Sequence, residues 1–591
     1  MKTKITLLSL LITVFFSCNN TTKKEVSENT NLNKEQLIFY GGDIITMEKD
    51  SAEYVEAVVS ENGEIVFVGT KSEAENKYSN AKKVDLKGKT MIPGFIDAHS
   101  HLWQTATKLG TVALDAPPAS DIRTIDDIIK KMSDKIKSNP TNYKTEKNWL
   151  IGWGLDNGAL KENRFPTRKD LDKISTEIPI VVVHFSGHML MMNTLGMQRA
   201  GYLEEDYKSP EGGSLQFYEG TKEPNGVIEE QAMLNAFSKI GGDIIGKEGI
   251  YTGIQFNKDK MKKLVLEAQE VYLKHGYTTI SEFATTDDSY NTVKELATEG
   301  KLKADVGMAY YAVLTTIDNV KSLYSKEYTN HLRVIGGKLN LDGGSPGRTA
   351  YLREPYFTPT PGQPTDYRGY SSIKKQEDMN ALVGSYYKEK IPFYIHALGD
   401  AAVDQCIAAV KFSEENYKYD NIRTNLIHLQ QVQPDQFDAL ENLDVTLTYQ
   451  ITHNYYFADF HNKYIYGPER TARLNPMRDG LNKGLSTTFH HDSPVHPVNQ
   501  IFLMWIAVNR ESRSGKVYGA DQKLTPYEAL YASTNAVAYQ YFEENKKGTI
   551  SEGKLADFVI LSENPLKINP ENIKNIVVLE TIKEGKTVYK K

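Results

Sequence analysis

Only two of the 591 residues are cysteine, Cys18 and Cys406, which excludes a disulfide framework and any zinc cluster built from thiolates. No block of basic residues follows the first few positions, and 70 Lys+Arg against 76 Asp+Glu leave a net charge of −6. Nucleic acid is therefore not expected as the main partner. The chain lacks a GxxxxGKS or GxxxxGKT stretch, so a nucleotide cofactor has no support. No apolar run of 18 residues occurs anywhere, and so no segment reads as a membrane-spanning helix. What remains is ordinary globular composition, 40% hydrophobic and 25% charged with 42 Gly and 22 Pro, which must bury a large core. At roughly 100 to 200 residues per domain the length suggests several domains, yet one α/β barrel absorbs more than about 400 with insertions.

The first 17 residues place Lys2 and Lys4 before the apolar run 5–16, and Ser17 and Cys18 follow it. That order of charged, apolar and small residues marks an export signal. It resembles a bacterial lipoprotein signal, which implies that Cys18 is lipidated and becomes the mature first residue. The alternative is a plain secretory signal with an incidental cysteine. Positions 18–35 are polar and without periodicity, and read as a flexible tether. The expectation is an exported protein held to a bacterial membrane only by its lipid, facing the periplasm or the cell surface.

From Gln36 the text turns to short β runs with a turn at Glu61-Asn62-Gly63, and the last residues repeat the style around Glu584-Gly585. Segments 36–90 and 546–591 are expected to pair into one small domain, because chain ends often lie close together. Between them, over 91–545, β-branched runs alternate with helical patterns. The runs are 91–97, 179–186, 277–283, 304–313, 333–341, 391–397, 424–430, 445–452 and 485–491. Repeated βα alternation favours an α/β barrel. Nine runs stand where eight are needed, so one is an excursion or a misread helix. The expected fold class is α/β: a (β/α)8 barrel plus a small β-sandwich built from both chain ends.

In such a barrel the chemistry lies at the carboxyl ends of the strands. The first run ends MIPGFIDAHSHL, and His99 and His101, two apart, would share one face of a strand and bind one metal ion. Lys338 lies in a run whose interior would not accept an unpaired amine. His396 closes the run in IHALGD, His428 the run in NLIHLQQ and Asp492 the run in FHHDSPV. His490 and His491 point to alternate faces, so at most one turns inward, and both are left out of the ligand set.

With PGFIDAHSHL, GKLNLDGGSPGRTA, HALGDAAVD, HHDSPV, LTPYEALYASTNAVA and GTISEGKLADFVIL, the chain resembles the amidohydrolase superfamily, in the branch that contains N-substituted formamide deformylases (amidohydrolase family 3). The resemblance covers nearly everything after the tether. It implies that His99 and His101 bind a first metal and His396 and His428 a second. It also implies that Lys338, as a carbamate, bridges the two, and that Asp492 ligates the first metal and handles protons. The ions expected are divalent, Zn2+, two per chain. The substrate expected is a small amide, cleaved at a non-peptide C–N bond.

Imidazoles and carboxylate-type oxygens without thiolate suit zinc-like ions, and two ions roughly 3.5–4 Å apart polarise a carbonyl while lowering the pKa of bound water to about 7. For Lys338 the alternative is an amine salt-bridged to Asp342 or a nearby carboxylate, with one metal bound. His188 and Asn193, in SGHMLMMNTLG, would touch substrate or be buried and hydrogen-bonded. Arg348 would hold a substrate oxygen or pin its own loop. Tyr310-Tyr311, Tyr455-Tyr456-Phe457 and Trp149 with Trp153, among 35 tyrosines and 4 tryptophans, hint at an apolar or aromatic substrate; packing on the barrel is the other reading. A deaminase of the same superfamily is the alternative enzyme, but it would leave Lys338 without work. A non-catalytic ligand-binding surface lipoprotein is the alternative outside catalysis. Oligomeric state is not legible, and buried Cys406 reads as a small hydrophobe.

Overall fold

A computed structural model describes residues 35–591 except 118, 119, 139–148, 186, 188, 206, 211, 212, 230, 231, 234, 237–255, 361, 362, 418 and 420. Lys2, Lys4, Cys18 and His188 lie outside the described residues. Both turns named from sequence are tight two-residue links. Asn62 and Gly63 have φ of 52° and 91°, and Glu584 and Gly585 have 49° and 72°, the paired positive angles that match the twist of adjoining hairpin strands.

These hairpins belong to one eight-stranded sheet, to which Gln36–Ile45, Tyr54–Glu61, Glu64–Gly69, Lys82–Asp85 and Thr90–Pro93 contribute from the start of the chain. Phe558–Leu561, Val578–Lys583 and Lys586–Lys590 contribute from its end. The two ends meet where Pro93 opposes Phe558 and Thr90 opposes Leu561 in antiparallel register. The apolar run that begins at 91 therefore divides between two sheets, because Gly94 separates Thr90–Pro93 from Phe95–Ile96.

The second sheet holds eight parallel strands in sequence order: β1 (Phe95–Ile96), β2 (Tyr277–Thr285), β3 (Asp305–Tyr311), β4 (Leu332–Asn340), β5 (Phe393–Ala397), β6 (Thr424–His428), β7 (Val445–Tyr449) and β8 (Ser486–Phe489). Helices connect them, among them Asp287–Thr298, Gln376–Glu389 and Asp400–Tyr417. Thr286 starts the first of these as an N-cap that accepts from Ser289 N, and Asp287 and Asp288 in the first turn complement its dipole. β2, β3, β6 and β7 are buried along their whole length, as strands covered on both faces must be. At β4, Gly336 has φ +149°, and a Cβ there would stand 2.2 Å from Pro392 O. Only glycine lets β5 approach this closely beside Lys338.

The ninth run is the excursion. Ile180–His184 pairs with Leu150–Leu155 and Met189–Met192 in a separate six-stranded sheet that also contains Val112–Ala113, Gly213–Phe217 and Pro224–Glu229. This sheet is inserted between β1 and β2 and has its own core, which takes up Trp149 and Trp153. Those two residues pack the core of the insertion. Among the described residues no helix is long and apolar enough to cross a membrane.

Opposite the strand carboxyl ends, a buried charge network fastens the end sheet to the parallel one. Asp305, the first residue of β3, accepts Lys547 Nζ at 2.6 Å and Lys583 Nζ at 3.1 Å, and Lys583 also reaches Asp557 at 3.2 Å. Removing one partner would strand the others without water, so such a network fixes the register of two sheets more than it adds stability.

Candidate active site

The loop after β1 is fixed first. The Asp97 carboxylate accepts from Ser281 N at 3.1 Å, Ser281 Oγ at 2.7 Å and Ser100 Oγ. His99 and His101 lie beyond the strand, which ends at Ile96, so they do not share a strand face as their spacing suggested. They converge all the same: His99 Nε2 is 3.3 Å and His101 Nε2 3.4 Å from Asp492 Oδ1. The first and last parallel strands thus deliver side chains to one point.

His396 and His428 stand on neighbouring strands, with Ala397 opposite His428 in register, and their rings are 4.2 Å apart. His396 Nε2 lies 3.4 Å from Asp342 Oδ1. Gln450 joins His428 to Asp492: its Nε2 donates to Asp492 Oδ2 at 3.0 Å, and its Oε1 is 3.2 Å from His428 Nδ1. With the amide nitrogen on the carboxylate, its oxygen faces His428 Nδ1. That nitrogen then carries the hydrogen, and Nε2 keeps its lone pair for a ligand.

Lys338 Nζ is fully enclosed with no hydrogen-bond partner among the described residues. It is not paired with Asp342, whose carboxylate accepts instead from Leu398 N, Gly399 N and Tyr351 N at 2.9–3.0 Å. Burial pushes the amine down to about 7, against the pull of Asp492. Burial also holds the imidazoles of His99, His428 and His490 well below their usual value, hence neutral. Burial pushes the Asp492 carboxyl up, but His428, His101 and His99 outweigh it and hold the group well below the ordinary carboxylate range. Neutral imidazoles around an ionised carboxylate are the donor set a divalent cation takes.

Three residues at this site stand outside the ligand set expected from sequence: His490, which was weighed and left out, and Glu282 and Gln450, which were not singled out. His490 turns inward between His99 and His428, with ring centroids at 4.8 and 4.9 Å. Glu282, near the end of β2, accepts from Trp103 N at 2.6 Å and Ala284 N at 2.7 Å beside His101, and burial pushes its carboxyl up. A census of polar residues closing apolar runs would have found Glu282. Gln450 carried no signal, since an amide after a strand is common.

Other candidates lie elsewhere. Arg348 donates to Thr358 O at 2.5 Å, Pro359 O at 2.8 Å and Thr358 Oγ1 at 2.7 Å, so its guanidinium pins its own loop. Asn193 caps the helix Thr194–Arg199 and donates to Ser175 O and Ile178 O, a full set of structural bonds. Tyr310 is buried, with its hydroxyl 3.1 Å from Asp287 Oδ1. Phe457 and Tyr456 do line a cleft with Phe185 and His496; Phe185 stacks on Phe457 at 5.1 Å and Tyr456 on His496 at 4.5 Å. Cys406 is buried and unpaired with any cysteine.

Residues 82–589 match the profile of the amidohydrolase family. The chain belongs to the amidohydrolase family. Among relatives of this amidohydrolase, YtcJ of Bacillus subtilis, itself named an amidohydrolase, is 24% identical over 94% of this chain and all of that protein. An N-substituted formamide deformylase of Arthrobacter pascens is 23% identical over 91% of this chain and 95% of that protein. In fold, the amidohydrolase is similar to an uncharacterized metal-dependent hydrolase from Pyrococcus horikoshii, with a TM-score of 0.69, 23% identity and coverage of 91% and 99% of the two chains.

Proposed function

We propose that this amidohydrolase is a metal-dependent enzyme that cleaves a non-peptide carbon–nitrogen bond, as in an N-substituted formamide or acyl amide. In this reading the parallel strands form a (β/α)8 barrel, and the end sheet is a small β-sandwich beside it. The observation that carries the reading is a set of enclosed polar atoms that make no well-formed hydrogen bond among the described residues, His99 Nδ1 and Nε2, His101 Nδ1, Lys338 Nζ and Asp492 Oδ1, with His99 Nε2 and His101 Nε2 both drawn up to Asp492 Oδ1 at 3.3 and 3.4 Å. Orphaned buried groups are costly unless a ligand takes them, and these fit divalent cations. His99, His101 and Asp492 would hold one ion and His396 and His428 a second, with Lys338 between them; Zn2+ suits the donors. Bound there, such ions supply polarisation of the substrate carbonyl and activation of water.

The chain's own residues do the rest. Lys338, neutral in good part at pH 7, adds through Nζ to carbon dioxide. An N–C bond forms, one C=O electron pair moves to oxygen and Nζ gives up a proton to water, leaving a carbamate anion. Asp492 takes a proton from the attacking water and returns it to the departing nitrogen, which leaves poorly unless protonated.

Zinc-loaded full-length protein assayed on formamides, acyl amides, cyclic amides and aminated heterocycles tests this. Formate or another carboxylic acid released together with an amine is expected. Ammonia release from the heterocycles alone would replace the reading with a deaminase.

We further propose that Cys18 carries a lipid that anchors the protein. Cys18→Ala is expected to move it from the membrane to the soluble fraction with specific activity unchanged. Equal membrane retention of the variant would remove the lipoprotein reading.

A further inference from the structure

We propose that His490 is an additional metal ligand, an imidazole supplied from the end of β8 to the ion held by His99 and Asp492. This rests on the metal-dependent reading above. The two adjacent histidines part company in the structure. His491 is already engaged: its Nδ1 accepts from Ser493 N at 2.9 Å, its Nε2 faces Asp97 Oδ1 at 3.6 Å, and its ring lies against Tyr272 and Tyr277. His490 is anchored through its backbone, where its N–H donates to Tyr449 O at 3.0 Å, and its side chain faces the opposite way.

That side chain is 1% exposed, and both ring nitrogens are enclosed without a hydrogen-bond partner among the described residues. The ring stands nearly perpendicular to those of His99 and His428, at 86° and 68°. His99, His490 and Asp492 each present one ligand atom, all within 4.8 Å of one another. Two donors bound to one Zn2+ at about 2.1 Å stand up to about 4.2 Å apart, so small ring movements bring the three onto one ion. An imidazole with two buried nitrogens and no hydrogen-bond partner among the described residues has no structural reason to be polar. As a ligand it has one. A further nitrogen donor also shifts the site toward Zn2+, Co2+ and Ni2+ and away from Mg2+ and Mn2+, which prefer oxygen.

The test compares wild type, His490→Ala, His490→Gln and His99→Ala, each stripped by chelator and titrated with Co2+ and Zn2+. The readouts are metal per chain, the visible absorption of bound Co2+ and the metal-induced rise in Tm. Both His490 variants are expected to bind Co2+ at least about tenfold more weakly, with an altered absorption band and a smaller rise in Tm. The glutamine variant retains a polar side chain, so it decides the matter if alanine unsettles the apo fold. Wild-type affinity and an unchanged cobalt band in both His490 variants, with loss in His99→Ala, would make His490 only a wall of the site. Retention of metal in His99→Ala as well would overturn the metal-dependent reading itself.

Discussion

Asp492→Asn is expected to lower kcat/KM by about 10²–10⁴, the range associated with loss of a general base. Asparagine keeps the size of the side chain and one oxygen, so the contact from Gln450 Nε2 at 3.0 Å survives. It also tolerates the backbone, since Asp492 has φ +59° and asparagine is among the few residues that adopt positive φ readily. The loss would then be chemical: an amide cannot take the water proton, and it offers a cation a neutral oxygen in place of an anionic one. Circular dichroism and Tm check that the fold persists while steady-state kinetics report the loss. A variant within a few-fold of the parent would end the proton-shuttle assignment.

Lys338→Ala is expected to abolish most activity and to remove at least one metal equivalent per chain, with short carboxylic acids restoring part of both. A free lysine, with a pKa near 10.4, has on the order of one amine in a thousand neutral at pH 7. Burial moves this amine to about 7, so a large share is nucleophilic. In the proposed reading the carbamate it would form is an anion with two oxygens, which would offset the repulsion between two cations held nearby. The methyl group of alanine leaves room beside Phe283, whose ring lies 5.8 Å from Lys338 Nζ, where formate or acetate would stand in for the proposed carbamate. An alanine variant with two metals per chain and normal turnover would reduce Lys338 to a structural residue.

Much of the site was legible because a parallel strand covered on both faces must be apolar, which makes each polar residue closing a run conspicuous. Lys338, His396 and His428 stood out for that reason, and all three are on strands. His99 and His101 were read as strand residues although β1 ends at Ile96. Their convergence on Asp492 depends on Asp97 holding the loop to Ser281, a contact 184 residues away in sequence. Arg348 and Asn193 carried plausible words but are consumed by local backbone bonds, which no motif reveals.

The amino-acid pattern by itself determined the alternation of strands and helices, the two glycine turns and the residue types available to the site. These follow from period, turn chemistry and the exclusion of polar groups from strand interiors, all local properties. The tertiary structure alone decided which of nine apolar runs left the parallel sheet, since Ile180–His184 is as apolar as any of the others. It also decided which of His490 and His491 faces the site. Two neighbours after a strand differ only in direction, and direction is set by distant partners: Tyr449 O draws the backbone of His490, while Asp97, Tyr272 and Tyr277 receive His491.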